Sequence, residues 1–273
     1  MRVLARSAIW LAYCAVRHSP EFKLADDVKF KIDPVLCQSG SSSAFVLRQW
    51  AEPELRYLDQ FLPRGGTFID CGANVGIFTA CGAGIVGERG KVISVEPAVL
   101  SFARLKRNID LNGFSQVELI RKAISDRNSV ARLYHADGGP VAFSLVCKTG
   151  VPFEEVETTS IDHLVKEFGI AKVDCIKLDV EGVEVSALVG ARNTLFEMRP
   201  TVIFERTSPG ARRTGAIDEV PKLLLSHGYK LYRYRAVELM RCDYSSPNIV
   251  AIHPARSCVI PAGFISWTLD NYE

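Results

Sequence analysis

The sequence predicts an α/β protein: a doubly wound, mostly parallel sheet of seven strands with an antiparallel last strand, preceded by an N-terminal cap. Three observations carry this prediction. From Thr67 onward, short apolar runs alternate with stretches of helical periodicity. One of those runs breaks at a glycine turn, Gly72 to Gly76, directly into a helix. The last two runs, Tyr229 to Tyr234 and Asn248 to His253, follow one another with no helix between them. Alternation of strand and helix buries both faces of a parallel sheet, whereas two successive strands without a crossover pair antiparallel.

The segment Arg2 to Arg17 holds an apolar run, Ser7 to Val16, behind Arg2 and Arg6. It is too short to span a bilayer, and Val16, Arg17 and His18 stand where a signal peptide needs small residues. Arg2, Arg6, Tyr13 and Arg17 recur at spacings of four, seven and four, which predicts an amphipathic helix docked on the body. Val28–Ile32 and Ala44–Arg48 read as short strands, and about Pro53 to Phe61 as a helix that Pro63-Arg64-Gly65-Gly66 ends. Residues 1–60 are expected as a cap, 61–255 as the main domain and 256–273 as a tail. In the main domain the expected strands are Thr67–Cys71, Lys91–Val95, Val117–Lys122, Val173–Leu178 and Thr201–Glu205. Helices are expected from about Val75, over Val99–Asn112 and Val183–Phe196, and near Val220–His227. Between Asp126 and Asp162 the alternation lapses and Gly138-Gly139-Pro140, Gly150 and Pro152 punctuate strand-like pieces, as in an insertion over one sheet edge.

With 273 residues, 48% hydrophobic and 23% charged, the chain can bury a sizeable core. A net charge of +2, from 33 basic and 31 acidic residues, provides no general drive toward nucleic acid or membrane. Neither a nucleic-acid partner nor stable membrane insertion is expected. Cys14, Cys37, Cys71, Cys81, Cys147, Cys175, Cys242 and Cys258 form no CxxC pair, which favours buried reduced thiols in a cytoplasmic enzyme.

The most informative stretch is Thr67-Phe68-Ile69-Asp70-Cys71-Gly72-Ala73-Asn74-Val75-Gly76, a buried strand, a tight glycine turn and a helix start. Such a turn lets backbone approach a nucleotide-derived cofactor. Asp70, just ahead of the first glycine, suits a cationic ligand such as S-adenosylmethionine better than a pyrophosphate, and the spacing departs from GxGxxG. The second strand ends in Glu96-Pro97, an acid placed to accept hydrogen bonds from ribose hydroxyls. The plainer readings are a helix-capping Asp70 and a solvated strand-end Glu96.

These residues, with Leu105 to Gly113 including Asn108 and Asn112, Ala123-Ile124-Ser125-Asp126, Ser160-Ile161-Asp162, Lys177-Leu178-Asp179-Val180-Glu181-Gly182-Val183-Glu184, Leu188-Val189-Gly190-Ala191 and Arg199-Pro200, together resemble the FkbM family of methyltransferases. The resemblance covers roughly Phe68 to Glu205 in one collinear order. It implies a Rossmann-like class I methyltransferase fold, S-adenosyl-L-methionine as cofactor, and O-methylation of a hydroxyl on a small molecule, sugar or glycan. Carried over by position, Asp70, Gly72, Asn74 and Gly76 form the cofactor loop, and Glu96 with Pro97 holds the ribose. Ser160, where the family often has Thr, and Cys71 and Cys81 near the loop depart from its pattern.

On the strand entering Lys177 to Gly182, alternation puts Lys177, Asp179 and Glu181 on one side. Three charges on an apolar strand are costly unless they reach a cleft or pair together. In a sheet ordered 3-2-1-4-5 this strand adjoins the glycine-turn strand at the switch point where ligands bind. Asp179 is therefore the first candidate for a base or an orienting group, Glu181 the second, and Lys177 a partner keeping one of them ionised. A Lys–acid pair bracing the strand is the plainer alternative. No metal is expected, since no third ligand stands at a readable spacing. A nicotinamide-dependent oxidoreductase and a non-catalytic nucleotide-binding partner protein are the rival functions. His135 and His163 read as structural or solvated, Lys230 to Arg235 as a half-exposed edge strand, and Arg104, Lys106 and Arg107 as a solvated helix face.

Overall fold

The computed structural model describes residues 2–25, 27–34, 41–135, 143–145, 150–205, 219–236, 244–256 and 260–268. Helix α1 (Arg2–Ala15) leads into an antiparallel hairpin, β1 (Glu21–Ala25) and β2 (Val28–Lys31), then α2 (Ser41–Leu47), a 3-10 turn over Pro53–Arg56 and the short α3 (Leu58–Phe61). The expectation of a strand over Ala44–Arg48 is thus corrected to a helix, which places Ala44 and Phe45 together in the core. Period-2 alternation lies earlier, where Phe22 and Leu24 are buried beside exposed neighbours and face Phe30 and Val28. The helix expected from Pro53 to Phe61 is broken at Tyr57, whose φ of −117° is not helical.

Strands and helices then alternate: β3 (Thr67–Cys71), α4 (Ile77–Val86), β4 (Lys91–Val95), α5 (Val99–Asp110) and β5 (Val117–Ile120). A small sheet follows, made of β6 (Ala123–Ile124), β7 (Ser129–His135), β8 (Phe143–Ser144) and β9 (Phe153–Thr159). After α6 (Ile161–Glu167) come β10 (Cys175–Leu178), α7 (Glu184–Val189), β11 (Thr201–Glu205), α8 (Glu219–Ser226), β12 (Lys230–Ala236), β13 (Tyr244–Ile252) and β14 (Phe264–Trp267). The main sheet runs β14-β12-β13-β11-β10-β3-β4-β5. Its five strands from β11 to β5 are parallel, β13 is antiparallel to β11, and β12 is antiparallel to both β13 and β14.

The expected doubly wound sheet is present, with one correction: among the described residues it has eight strands, not seven. Phe264 and Trp267, at the two ends of β14, are both buried, and that burial draws a segment read as tail onto β12. For the same reason β12 is not an edge strand, and Leu231 and Tyr234 are buried in it. One sheet face packs Phe68, Val92, Cys175 and Ile203 against α4, α5 and the cap residues Phe30, Leu58 and Leu62. The other packs Ile69, Ile93, Ile176 and Phe204 against α6, α7 and α8.

The basic face of α5 is also corrected. Arg104 and Arg107 are not solvated but grip Asp33 at 2.6 and 2.9 Å, while only Lys106 points outward, to Asp110. Asn108 on the same helix and Asn112 just past its end hydrogen-bond the backbone of Lys31 and Lys29, so α5 and the turn after it hold the β1–β2 hairpin on the body. His163 is exposed beside Glu167, and the His135 side chain lies outside the described residues. Cys14, Cys71, Cys81 and Cys175 are free thiols, the last three buried; the other cysteines lie outside the described residues. Among the described residues no helix is long and apolar enough to cross a membrane.

Candidate functional site

The carboxyl end of β3 sits between β4 and β10, where successive connections leave the sheet in opposite directions and open a crevice. The chain turns there through Gly72 (φ 77°), Asn74 (φ 51°) and Gly76 (φ 94°) into α4. At Gly72 a Cβ would overlap the backbone oxygen of Asp179, and at Gly76 it would come within 2.7 Å of Leu105, so both positions require glycine for space as well as for φ. Gly72 and Ala73 donate their N–H groups to Val95 O at 2.9 and 3.0 Å, and Gly76 donates to Ala73 O at 2.8 Å. Asn74 N–H donates to Glu96 Oε2 at 2.9 Å.

Glu96 is 6% exposed and its second oxygen, Oε1, accepts from Ala98 N–H at 2.9 Å. Burial pushes its carboxyl up to about 7, against the two backbone hydrogen bonds that lower it. Each oxygen keeps a lone pair for a further donor. Asp70, in contrast, does not face the crevice: it is 1% exposed and takes the Thr79 hydroxyl at 2.6 Å, with Ser94 next in the chain of hydroxyls at 2.7 Å. Burial raises it to about 6, opposed by the Thr79 hydrogen bond and the charge of Lys177.

The cleft encloses about 620 Å³ when the space open to solvent is counted. Gly72 and Asn74 line one side, with Glu96 and Pro97 from the end of β4. Asp179, Val180 and Glu181, from the exit of β10, line another. The third wall is apolar, from Ala123 and Ile124 of β6, Leu133 of β7 and Leu145 beside β8. Sequence reading missed this wall, although Ala123 and Ile124 lie in the family pattern. The insertion carries no periodicity that says which of its apolar residues turn back toward the crevice.

Lys177 and Asp179 meet, Nζ to Oδ2 at 3.4 Å, with Lys177 2% exposed and the Asp179 side chain 41% exposed. Burial opposes the charge on Lys177, but Asp179, Glu52, Asp70 and Glu205 outweigh it and hold the ammonium above its ordinary value. β10 ends at Leu178, so strand alternation does not govern Glu181, which reaches the cleft from a loop with φ 53°. Glu184 caps that loop, both carboxylate oxygens accepting from Gly182 N–H at 3.1 Å.

A further acid, not foreseen, lies within electrostatic reach of this pair. Glu52, from the cap, is held by Asn248 Nδ2 at 3.0 Å, and the same Asn248 amide donates to buried Glu54 at 3.1 Å. Burial pushes Glu52 up to about 7; Lys177 lowers it, and Glu54 and Asp179 raise it. Its partners lie 196 positions away along the chain, beyond any local pattern. Among the described residues no group of acids, histidines and cysteines could hold a metal ion.

Comparison with known proteins comes to the same segment. Residues 70–231 match the methyltransferase FkbM domain. The methyltransferase sdnD of Sordaria araneosa is 24% identical over 206 residues, covering 64% of this chain and 78% of that protein. Among solved structures, the FkbM methyltransferase of Methylobacillus flagellatus KT is 18% identical with a TM-score of 0.44, covering 91% of this chain and 59% of that one, so the chain spans less than two thirds of its length. Aeropyrum pernix fibrillarin with natively bound S-adenosyl-L-methionine is 13% identical with a TM-score of 0.44, over 73% of this chain and 74% of that one. More than half of the chain, taking in the glycine turn, Glu96 and the exit of β10, thus fits one family in one collinear stretch, and the protein belongs to the FkbM methyltransferases.

Proposed function

We propose that the protein is an S-adenosylmethionine-dependent O-methyltransferase whose acceptor is a hydroxyl on a small molecule, sugar or glycan. One observation carries the reading: a single cleft joins the Asn74–Glu96 corner to the Asp179–Glu181 exit at the switch point of the sheet. The residues fit this cofactor. Gly72 leaves space that a Cβ would fill, and Glu96 has lone pairs for ribose hydroxyls. The amides of Gly72, Ala73, Asn74 and Gly76 are already engaged within the protein, so they form no cradle for the pyrophosphate of a nicotinamide dinucleotide.

Asn74, Glu96 and Pro97 would hold the cofactor, with the apolar wall of Ile124 and Leu133 against its base. When bound, S-adenosylmethionine supplies an electrophilic methyl group on a sulfonium that leaves as a neutral thioether. The work left to the chain is to place the acceptor hydroxyl and take its proton. Asp179, exposed to the cleft and paired with Lys177, would accept that proton as the oxygen–carbon bond forms. Glu181 borders the same space, and Glu52 adds a second acid beside Lys177.

Thermal melting tests the cofactor. S-adenosylmethionine or S-adenosylhomocysteine at a hundred times Kd should stabilise the protein by about 2.7 kcal/mol, with NAD inert. Stabilisation by NAD alone would overturn the reading. Transfer of labelled methyl to a panel of hydroxyl, amine and carboxylate acceptors tests the second half, and labelling confined to amines would remove the hydroxyl assignment.

A further inference from the structure

Helix α1 carries apolar residues on its outer side as well as on its docked side. Its docked side carries Trp10, Tyr13 and Cys14, which pack on the first core cluster, and Arg6, which donates to Val46 O at 3.1 Å. Its opposite side, Leu4, Ala5, Ala8, Ile9, Leu11, Ala12 and Ala15, is exposed and contains no polar residue. Leu4 is 76% exposed, Leu11 57% and Ile9 48%. At about 100° per residue, Leu4, Ala8, Leu11 and Ala15 fall in one stripe, with Ala12 and Ala5 beside it and Ile9 at its far edge. A continuous apolar face turned to water on a docked helix marks a surface that is covered in use.

Size and charge decide between occupants. A helix of 14 residues is about 21 Å long, and the accessible area of its outer face is on the order of a few hundred Å², below the roughly 800 Å² per partner of a stable dimer. Such a stripe is, however, sufficient for an interfacial helix, which needs only to sink one apolar side to the level of the lipid headgroups. The charge is local and of one sign: Arg2 opens the helix, Arg17 follows it, and residues 1–20 hold no acid, while Arg6 is turned inward to Val46 O. We propose that the outer face of α1 seats the protein reversibly on an anionic membrane surface, lying in the interface and not crossing it.

Co-flotation of the full chain with vesicles tests this. The protein should float with phosphatidylcholine vesicles containing phosphatidylserine, less with phosphatidylcholine alone, and binding to the anionic vesicles should weaken as salt rises. Leu4→Glu/Leu11→Glu alters only exposed side chains, so the melting temperature should hold while partitioning falls at least ~10-fold. Absence of the wild-type chain from anionic vesicles, or equal flotation of the double variant, would overturn the proposal. Sedimentation separates the alternative: a wild-type dimer that the same variant dissociates would assign the face to a second copy and refute the membrane assignment.

Discussion

Gly72 is where the two halves of the cleft touch, and the smallest change there should be the most informative. Gly72→Ala drives a methyl group into the backbone of Asp179, at a φ of 77° that alanine rarely adopts. Because backbone and not a flexible side chain must yield, calorimetry should show loss of S-adenosylmethionine binding together with a lower melting temperature. Glu96→Ala should weaken that binding by about 1.5–3 kcal/mol, and an unchanged Kd would remove Glu96 from the site. Its pH signature follows from burial. With the carboxyl pushed up to about 7 from 4.5, the folded protein holds the proton more tightly than the unfolded chain. That contribution to stability is therefore complete below 4.5 and is lost as pH rises through about 7. A ligand that donates hydroxyls to the ionised form should release a proton on binding near neutrality, read from calorimetric heats in buffers of different ionisation enthalpy, and Glu96→Gln should abolish the release. Asp179→Asn should lower turnover about 10²–10⁴-fold with cofactor binding retained; if it lowers only the melting temperature, the Lys177 pair is a brace. At this scale Glu96, Asp179 and the glycines were legible because each lies in a short motif at a strand end. The inward turn of Asp70 and the approach of Glu52 were not, since hydroxyl partners and residues 196 positions apart leave no local trace.

Among the elements, α5 does more than cover the sheet. Four side chains, those of Arg104, Arg107 and Asn108 on the helix and of Asn112 just past its end, hold the cap hairpin by Asp33 and the backbone of β2. The periodicity of α5 and its motif asparagines could be read directly. Their partners could not, because they lie 77 and 83 positions upstream, in a strand that was expected over Val28–Ile32 but bears no mark of what it pairs with. Asp33→Ala should cost about 1–2 kcal/mol, below the usual value for a charged hydrogen bond because the cluster is partly exposed. Burial alone would raise the Asp33 carboxyl, but hydrogen bonds and charges from Arg107 and then Arg104 outweigh it and hold it below 3.8. Its stabilisation is accordingly present above 3.8 and lost as pH falls through the lower folded value, so wild type and Asp33→Ala should converge in strong acid. Melting curves from neutral to acid pH read this, and a constant gap would assign the loss to packing.

At the scale of the molecule, strand order was legible because connection rules leave few arrangements, and the switch point locates the cleft without knowledge of a ligand. The eighth strand was not, since β14 is four residues long and its two buried residues, Phe264 and Trp267, stand three apart, a helical and not an alternating spacing. Trp267→Ala should cost about 3–5 kcal/mol, as for other buried aromatics, and chemical denaturation should show it as a shifted midpoint. The position of β14 also bears on how the chain leaves the ribosome. Until Phe264–Trp267 emerges, the seven-residue β12 lies bare along one side, its unpaired amides and carbonyls set between Leu231 and Tyr234. A chain stopped before residue 264 would thus present an adhesive border to its neighbours, and its fate during synthesis would be self-association through that border. The four-residue β14 that ends the sheet in the finished protein is too short to offer the same template.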